Sequence, residues 1–202
     1  MSKKFVKKLS SVEKFKSIKL TNSQEKVFSL NHTMLDDALV KNAKTIIVGT
    51  LTPGNGMFNG YYYTSLKNKV YKIIDENCNK SNVLVNLKKQ LANNKDDEEI
   101  IGKIKENLLK NKLAFIDVID EAIRECDSYQ DDKISAFTLD YGSFKHCSQN
   151  QIFICTSQNT ADCLNLIAEK INLNKDNIFV CHQDRFHYPA DKNLWTEKLT
   201  MN

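Results

Sequence analysis

Apolar, β-branched runs recur along the chain and predict its scaffold. The first is Lys44-Thr45-Ile46-Ile47-Val48-Gly49-Thr50, the second Gln151-Ile152-Phe153-Ile154-Cys155-Thr156-Ser157 and the third Asn177-Ile178-Phe179-Val180-Cys181. The first, ending in Gly, reads as a buried strand leading into a loop, the second as a strand with a polar end and the third as a further strand. Between the second and third, Ala161, Leu164, Ile167, Ala168 and Ile171 recur at helical spacing and predict a helix over 159–171. Strand, helix, strand is a βαβ unit, and so a parallel sheet. Val70, Ile73 and Ile74 share one face of a helix expected over 67–75. Residues 81–112 read as two amphipathic helices around an exposed turn, with Asp96, Asp97, Glu98 and Glu99 near the second N-terminus, where acidic residues are favoured. The run Leu113-Ala114-Phe115-Ile116-Asp117-Val118-Ile119 is apolar except for one carboxylate. Residues 127–134 read as a loop entering a short turn. The expected fold is a three-layer α/β/α sandwich with a central, mostly parallel sheet, as one domain over 1–202. In such sheets the site lies outside the carboxyl ends of the strands. Those ends are Gly49-Thr50, Thr156-Ser157 and His182-Gln183, which are expected to converge.

Composition narrows the function classes. With 202 residues and 41% hydrophobic positions, the chain can bury a core, and wholesale disorder is excluded. No apolar run reaches the roughly 20 residues that a membrane-spanning helix needs. The net charge of +4 permits nucleic-acid binding without requiring it. The charge is uneven: residues 1–20 hold seven lysines against Glu13 alone. This stretch is either a solvated terminus or a phosphate-contacting arm, and residues 1–30 are expected to form a basic N-terminal extension. The six cysteines include no C-x-x-C pair, and several stand in apolar runs, so they read as buried free thiols. With no secretory signal visible, a reducing, cytoplasmic setting is expected.

Punctuation concentrates after the first strand. Leu51-Thr52-Pro53-Gly54-Asn55-Gly56-Met57-Phe58-Asn59-Gly60, together with Gly49, holds four of the six glycines and one of the two prolines, and Tyr61-Tyr62-Tyr63 follows. Glycine and proline gather where backbone geometry is special or where something approaches the backbone closely.

Several of these segments fall in a recognisable order. His32, Asn42-Ala43-Lys44, the strand Ile46-Ile47-Val48 and Gly49-Thr50-Leu51-Thr52-Pro53 come first. Tyr62-Tyr63 and Asn68-Lys69-Val70-Tyr71 come next. Phe115-Ile116-Asp117-Val118-Ile119, Cys126 with Asp131-Asp132, and Phe153-Ile154-Cys155-Thr156-Ser157 complete the order. The order resembles the uracil-DNA glycosylase superfamily, in particular its mismatch-specific and hypoxanthine-type branches, over about three quarters of the chain. Thr52 replaces a proline of the family's G-T-F-P-P, and Tyr71 replaces a tryptophan. Leu51 stands where several branches carry the Asn or Asp that positions water. The second signature, L-P-S-P-S-P or H-P-S-P, has no counterpart in His182-Gln183-Asp184-Arg185-Phe186-His187-Tyr188-Pro189.

The resemblance implies cleavage of the N-glycosidic bond of a deaminated or altered base in DNA. Such an enzyme must extrude and stack the base and stabilise charge on both fragments. The implied catalytic residues are Asn68, Asp117 and His182. Asn68 would orient water or bind a base edge, or else cap a helix. Asp117 would stabilise a cationic sugar, or else cap a helix or satisfy backbone amides. His182 or His187 would donate to the leaving base, and Arg185 would take a phosphate, unless this is an ordinary surface loop. Tyr62 or Tyr63 would stack the base, or else pack the loop on the core. Gly49 and Thr50 would offer strand-end amides, and Pro53, Thr156 and Ser157 complete the expected substrate contacts. Gly54, Gly56 and Gly60 would admit phosphate, or simply make the loop flexible. No cofactor is expected, neither a metal on His182, Asp184 and His187 nor an iron–sulfur cluster, because the cysteine spacing does not suit one. DNA is the expected partner and a membrane is not. Two alternatives stand beside catalysis: a non-catalytic member of the same fold binding nucleic acid or a modified nucleotide, and a protein-interaction module using the basic tail and the 81–112 helices.

Overall fold

The computed structural model describes residues 6–20, 25–29, 34–51, 59–125 and 133–200. In chain order its elements are α1 (Val12–Ser17), β1 (Glu25–Ser29), α2 (Asp37–Asn42), β2 (Thr45–Gly49), α3 (Val70–Ile74), α4 (Val83–Asn93) and α5 (Glu98–Lys110). There follow β3 (Leu113–Asp117), β4 (Ile119–Glu125), β5 (Ile134–Leu139), β6 (Ile152–Cys155), α6 (Gln158–Ile171), β7 (Ile178–Val180) and α7 (Pro189–Thr200).

The expected strands form one parallel sheet in the order β3-β2-β6-β7. Its centre is fully buried: Ile46, Ile47, Val48, Ile116, Phe153, Ile154 and Cys155 expose no surface. Continuous apolar runs are what a strand covered on both faces requires. The crossover from β2 to β3 holds α3, α4 and α5, and that from β6 to β7 holds α6. They run in opposite directions along the sheet, so right-handed crossovers place their helices on opposite faces. Helix α6 packs on β6 and β7, while α2 and α5 pack on β3. The architecture is thus an α/β sandwich on a parallel sheet. Among the described residues no helix is long and apolar enough to cross a membrane.

A second, antiparallel sheet, β1-β4-β5, departs from the expectations. The 113–119 run is two strands, because the chain turns at Val118. The Val118 and Ile119 N–H groups still donate to the Gly49 and Thr50 carbonyls, each at 3.0 Å, before β4 leaves the parallel sheet. Part of the basic N-terminal stretch is structural. Strand β1 pairs along β4, Val27 opposite Ile123, and the Ser10 N–H bonds the Phe137 carbonyl of β5 at 2.8 Å. Strands β1 and β4 mix charges with apolar residues, so their pairing is decided by tertiary context rather than local pattern, whereas β5 is largely apolar and buried. Residues 126–132, which carry most of the expected 127–134 loop, lie outside the described residues, and β5 begins at Ile134. Helix α7, which carries the fully buried Trp195, was not anticipated either, its sequence being polar on most sides.

The helical pair of the first crossover turns its apolar residues inward: Leu84, Leu91, Ile104 and Leu108 are fully buried. Of its large apolar side chains only Val83 and Leu109 are exposed, singly, which does not make a patch of the kind a docking module presents. The Asp97 side chain caps α5, accepting from the Glu99 and Ile100 N–H groups at 3.0 and 3.1 Å. Helix α4 is capped from outside. Helix α3 continues in a π-helical turn over Asp75–Asn79. The buried Asp75 carboxylate accepts from Leu84 N–H at 3.1 Å, Val85 N–H at 2.8 Å and Asn79 Nδ2 at 2.7 Å. Asp75→Ala leaves the Leu84 and Val85 N–H groups without this acceptor, while Asn79 Nδ2 keeps Asn107 Oδ1, and urea unfolding should show a loss of about 1–3 kcal/mol.

Gly60 seats the glycine-rich loop on this pair. Its φ is +96°, and a Cβ there would come within 2.6 Å of Asp96 Oδ1 and 2.9 Å of Asp96 Cα. The loop that leads to the tyrosines therefore ends on the turn between α4 and α5.

The described cysteines are free thiols: Cys155, Cys163 and Cys181 are buried, and Cys78 and Cys147 are partly so. Burial first, and then the neighbouring Cys181 and Cys163, push the Cys155 thiol up; burial pushes Cys147 and Cys181 up to about 12. A thiol reagent at about pH 8 should leave Cys155, Cys163 and Cys181 unmodified until urea unfolds the chain. The linked pH effect has a definite sign. Above the ordinary thiol value of 9.0, the unfolded chain releases protons that the folded chain keeps, so stability should fall as pH rises.

Candidate functional site at the strand ends

Parallel pairing brings the expected strand ends side by side. Gly49 stands opposite Asp117, and Val48 opposite Cys155. The Thr156 N–H donates to the Val48 carbonyl at 3.1 Å, and the Cys181 N–H to the Cys155 carbonyl at 2.9 Å. Gly49-Thr50, Asp117, Thr156-Ser157 and His182-Gln183 thus form one row along a single edge of the sheet.

The tightest point of this row is around Gly49. A Cβ on Gly49 would lie 2.1 Å from Asp117 Oδ1 and 2.8 Å from the Tyr63 hydroxyl. The missing side chain is the space that these two groups fill. Asp117 is 4% exposed. The register delivers its carboxylate, and an unusual backbone delivers the tyrosine: Tyr63 has φ +56°, a conformation that costs a non-glycine residue of order 1 kcal/mol.

The electrostatics follow from burial. Burial pushes the Tyr63 hydroxyl well above its usual range, the Asp117 carboxylate adds to that, and contact with Thr156 works the other way. Tyr62 is also pushed well up, by burial first, then by Asp117, Tyr61 and Asp140. Both phenols therefore keep their protons at any ordinary pH. The Tyr62 and Tyr63 hydroxyls are buried with no hydrogen-bond partner among the described residues, as are Asp140 Oδ2 and Ser143 Oγ.

Of the two tyrosines, Tyr62 is packed as core. It is 4% exposed, with its ring against Tyr61 and Phe115 at centroid distances of 5.4 and 6.0 Å. Tyr63 keeps some exposed surface and meets Phe115 edge-on at 5.0 Å. Beneath them Tyr71 stacks on Phe115 and donates to the Tyr62 carbonyl at 2.9 Å.

The hydroxyls at the β2 and β6 ends are engaged in structure. Ser157 caps α6, its Oγ accepting from the Thr160 N–H at 3.1 Å, and Thr50 Oγ1 lies 2.9 Å from Thr160 Oγ1. Thr156 Oγ1 donates to the Val48 carbonyl at 3.2 Å.

Asn68 stands just before α3, and its Oδ1 accepts the Val70 N–H at 2.8 Å, a capping bond. Its carboxamide nitrogen makes no hydrogen bond to a described residue. The Lys69 N–H donates to Gln183 Oε1 at 3.1 Å, which ties this segment to the loop after β7. His182 is half-buried at the head of that loop, and Arg185 and His187 are exposed, with the His187 ring 4.1 Å from that of Tyr188. Asp117 ends one edge strand and His182 follows the end of the other by two residues, with β2 and β6 between them. Three strand spacings of about 4.8 Å separate their backbones by roughly 14 Å. The two cannot touch each other, and a ligand meeting both must lie across the strand ends.

Pro53, Gly54, Gly56, His32, Cys126, Asp131 and Asp132 lie outside the described residues. Two residues that the sequence did not single out, Asp140 and Lys88, belong to the surroundings of the site. Asp140 is a buried carboxylate beside Tyr62, directly after an apolar run. Gln183, expected only as part of a strand end, holds Lys69. Lys88 is buried beneath 66–68, and its signal was a lysine on the apolar stripe of Leu84 and Leu91. Among the described residues no group of three or more His, Cys, Asp or Glu side chains is arranged to hold a metal ion.

The α/β fold that carries this row of strand ends has a counterpart among solved structures. The chain is similar to a candidate uracil DNA glycosylase from Methanosarcina acetivorans, solved in solution by NMR. The TM-score is 0.55 and the identity 15%, over 83% of this chain and 93% of the other. At that identity the likeness shows a uracil-DNA-glycosylase-like fold. Neither a protein-family model nor a curated protein sequence matches the chain.

Proposed function

We propose that the chain is a DNA glycosylase that hydrolyses the N-glycosidic bond of a deaminated or altered base. The observation that carries this reading is the buried Asp117 carboxylate packed on Gly49 beside two protonated phenols, at the strand end where the fold binds ligands. Cleavage separates an oxocarbenium-like sugar from a base anion, so the site needs fixed negative charge near the sugar and donors near the base. Asp117 supplies the charge. A base lying across the strand ends meets Tyr63 on one side and the 182–187 loop on the other. His182 donates to the departing base oxygen, and the free Asn68 carboxamide nitrogen holds the attacking water. Arg185 takes a flanking phosphate. The mildly basic chain and its likeness in fold to a candidate uracil DNA glycosylase support DNA as the partner.

The test is a cleavage assay. Labelled oligonucleotides carrying uracil, hypoxanthine or xanthine, single-stranded and opposite each base, are incubated with pure protein and treated with alkali. A strand break at one altered base establishes the activity and names the base. Retention of the oligonucleotides without cleavage replaces catalysis with binding.

A further inference from the structure

Segment 66–69 is held more firmly than a surface loop requires. The Asn68 N–H closes a turn on the Ser65 carbonyl at 2.9 Å, Asn68 Oδ1 holds Val70, and the Lys69 N–H is fixed by Gln183. From beneath, Lys88 donates to the Asn68 carbonyl at 2.7 Å and the Leu66 carbonyl at 3.4 Å.

Lys88 is the costly part of this arrangement. Its side chain is 5% exposed, and its ammonium meets no carboxylate among the described residues. Burying an ammonium without a carboxylate beside it is costly. Burial first, and Lys89 second, hold its pKa below the usual lysine range. A leucine at this place on the α4 stripe would fill the space without that cost. What the lysine supplies instead is two fixed carbonyls, and hence a fixed loop above them.

The loop carries charge. Lys67 and Lys69 are exposed, and neither is paired with a carboxylate among the described residues. Residues 59–74 contain no Asp or Glu at all. Lys67 is four residues from Tyr63, so its backbone lies within about 14 Å of the tyrosine that reaches Asp117. The adjoining loop adds Arg185, offset by Asp184.

We propose that 66–69 is a preformed phosphate-gripping ledge beside the site, with Lys67 and Lys69 contacting the backbone of a nucleic-acid strand and Lys88 as the buried positioning residue that sets the ledge. The inference rests on the proposed nucleic-acid substrate. A ledge ordered before binding spares the ordering cost that a mobile lysine loop would meet on the complex.

The experiment measures binding of a fluorescein-labelled duplex of about 20 base pairs by anisotropy, from about 50 to 200 mM KCl. Each lysine that neutralises a phosphate contributes about 0.9 to the slope of log K against log salt. Lys67→Gln and Lys69→Gln should each lower the slope by about that amount. Lys175→Gln, at the amino end of β7, should leave it unchanged. Lys88→Met removes no surface charge, yet should weaken binding several-fold. Adding Lys67→Gln to it should cost less than Lys67→Gln costs in the wild type, because the ledge is already disordered. Lys67 and Lys69 are exposed, so their variants fold whatever becomes of Lys88→Met. Wild-type binding with unchanged slopes in both lysine variants overturns the ledge alone. Failure of the wild type to bind overturns the nucleic-acid reading with it.

Discussion

Gly49→Ala should lose about 1–3 kcal/mol of stability and most of the cleavage activity together. The added methyl has nowhere to go. It would stand 2.1 Å from Asp117 Oδ1 and 2.8 Å from the Tyr63 hydroxyl, both well inside contact distance. Both side-chain ends must move aside, while their backbones are held, that of Asp117 by its register opposite Gly49 and that of Tyr63 in a left-handed conformation with its ring edge on Phe115. Overpacking of a closed site costs about 1–3 kcal/mol. The activity should fall further than stability explains, because the methyl displaces the one carboxylate assigned to the sugar, and misplacement by about 1 Å can cost roughly a hundredfold. Urea midpoints at constant m-value and single-turnover cleavage measure the two losses. The double variant Gly49→Ala/Asp117→Ala identifies the cause. With the carboxylate gone the closer of the two clashes is removed and only the Tyr63 hydroxyl must give way, so stability should return part of the way toward that of Asp117→Ala, while cleavage stays lost. Equal, additive losses in the double variant would show that the Gly49 effect does not pass through Asp117.

The legible and illegible parts of the molecule divide along a physical line. Strands β2 and β6 were readable because burial on both faces leaves an uninterrupted apolar run in each, and the half-buried edge strand β7 carries a short one too. Helix α6 was readable because one buried face imposes its own period. Asp117 stood out as the single charge in such a run. The second sheet was not readable. Glu25-Lys26-Val27-Phe28-Ser29 has no local strand signal, and only β4, almost a hundred residues later, makes it one. The contact among Gly49, Asp117 and Tyr63 was hidden for a related reason. It needs the β2–β3 register and a positive φ at Tyr63 at once, and neither leaves a mark in composition or spacing. Lys88 lies between these cases. A lysine in the Leu84–Leu91 stripe was visible as an exception, but its meaning required the two carbonyls above it. The loop after β7 is docked through Gln183 onto Lys69, an attachment that no reading of the loop by itself would supply.

Asp117→Asn should lower single-turnover cleavage by about a hundredfold or more while leaving the fold in place. The substitution keeps the shape that fills the space over Gly49 and removes the negative charge. Loss of one preorganised electrostatic stabiliser costs about 10²–10³ in rate, close to 3–4 kcal/mol of barrier. The prediction separates chemistry from packing because the neighbours respond differently. Asp117→Asn removes a charge that raises both Tyr62 and Tyr63, so both phenols should titrate lower than in the wild type, yet remain protonated at neutral pH because burial is the larger cause. An ultraviolet phenolate titration reads that change without any substrate. Asn68→Asp is the matching control at the other side of the site. It keeps an oxygen for the Val70 N–H and hence the cap on α3, but it removes the carboxamide nitrogen. If that nitrogen holds the water, cleavage falls with little change in melting temperature. If Asn68 only caps the helix, Asn68→Asp cleaves like the wild type, whereas Asn68→Ala loses about 1 kcal/mol of stability. Full cleavage by Asp117→Asn, in a protein whose phenols have shifted as expected, would remove the carboxylate from the mechanism and leave the row of strand ends as a binding surface.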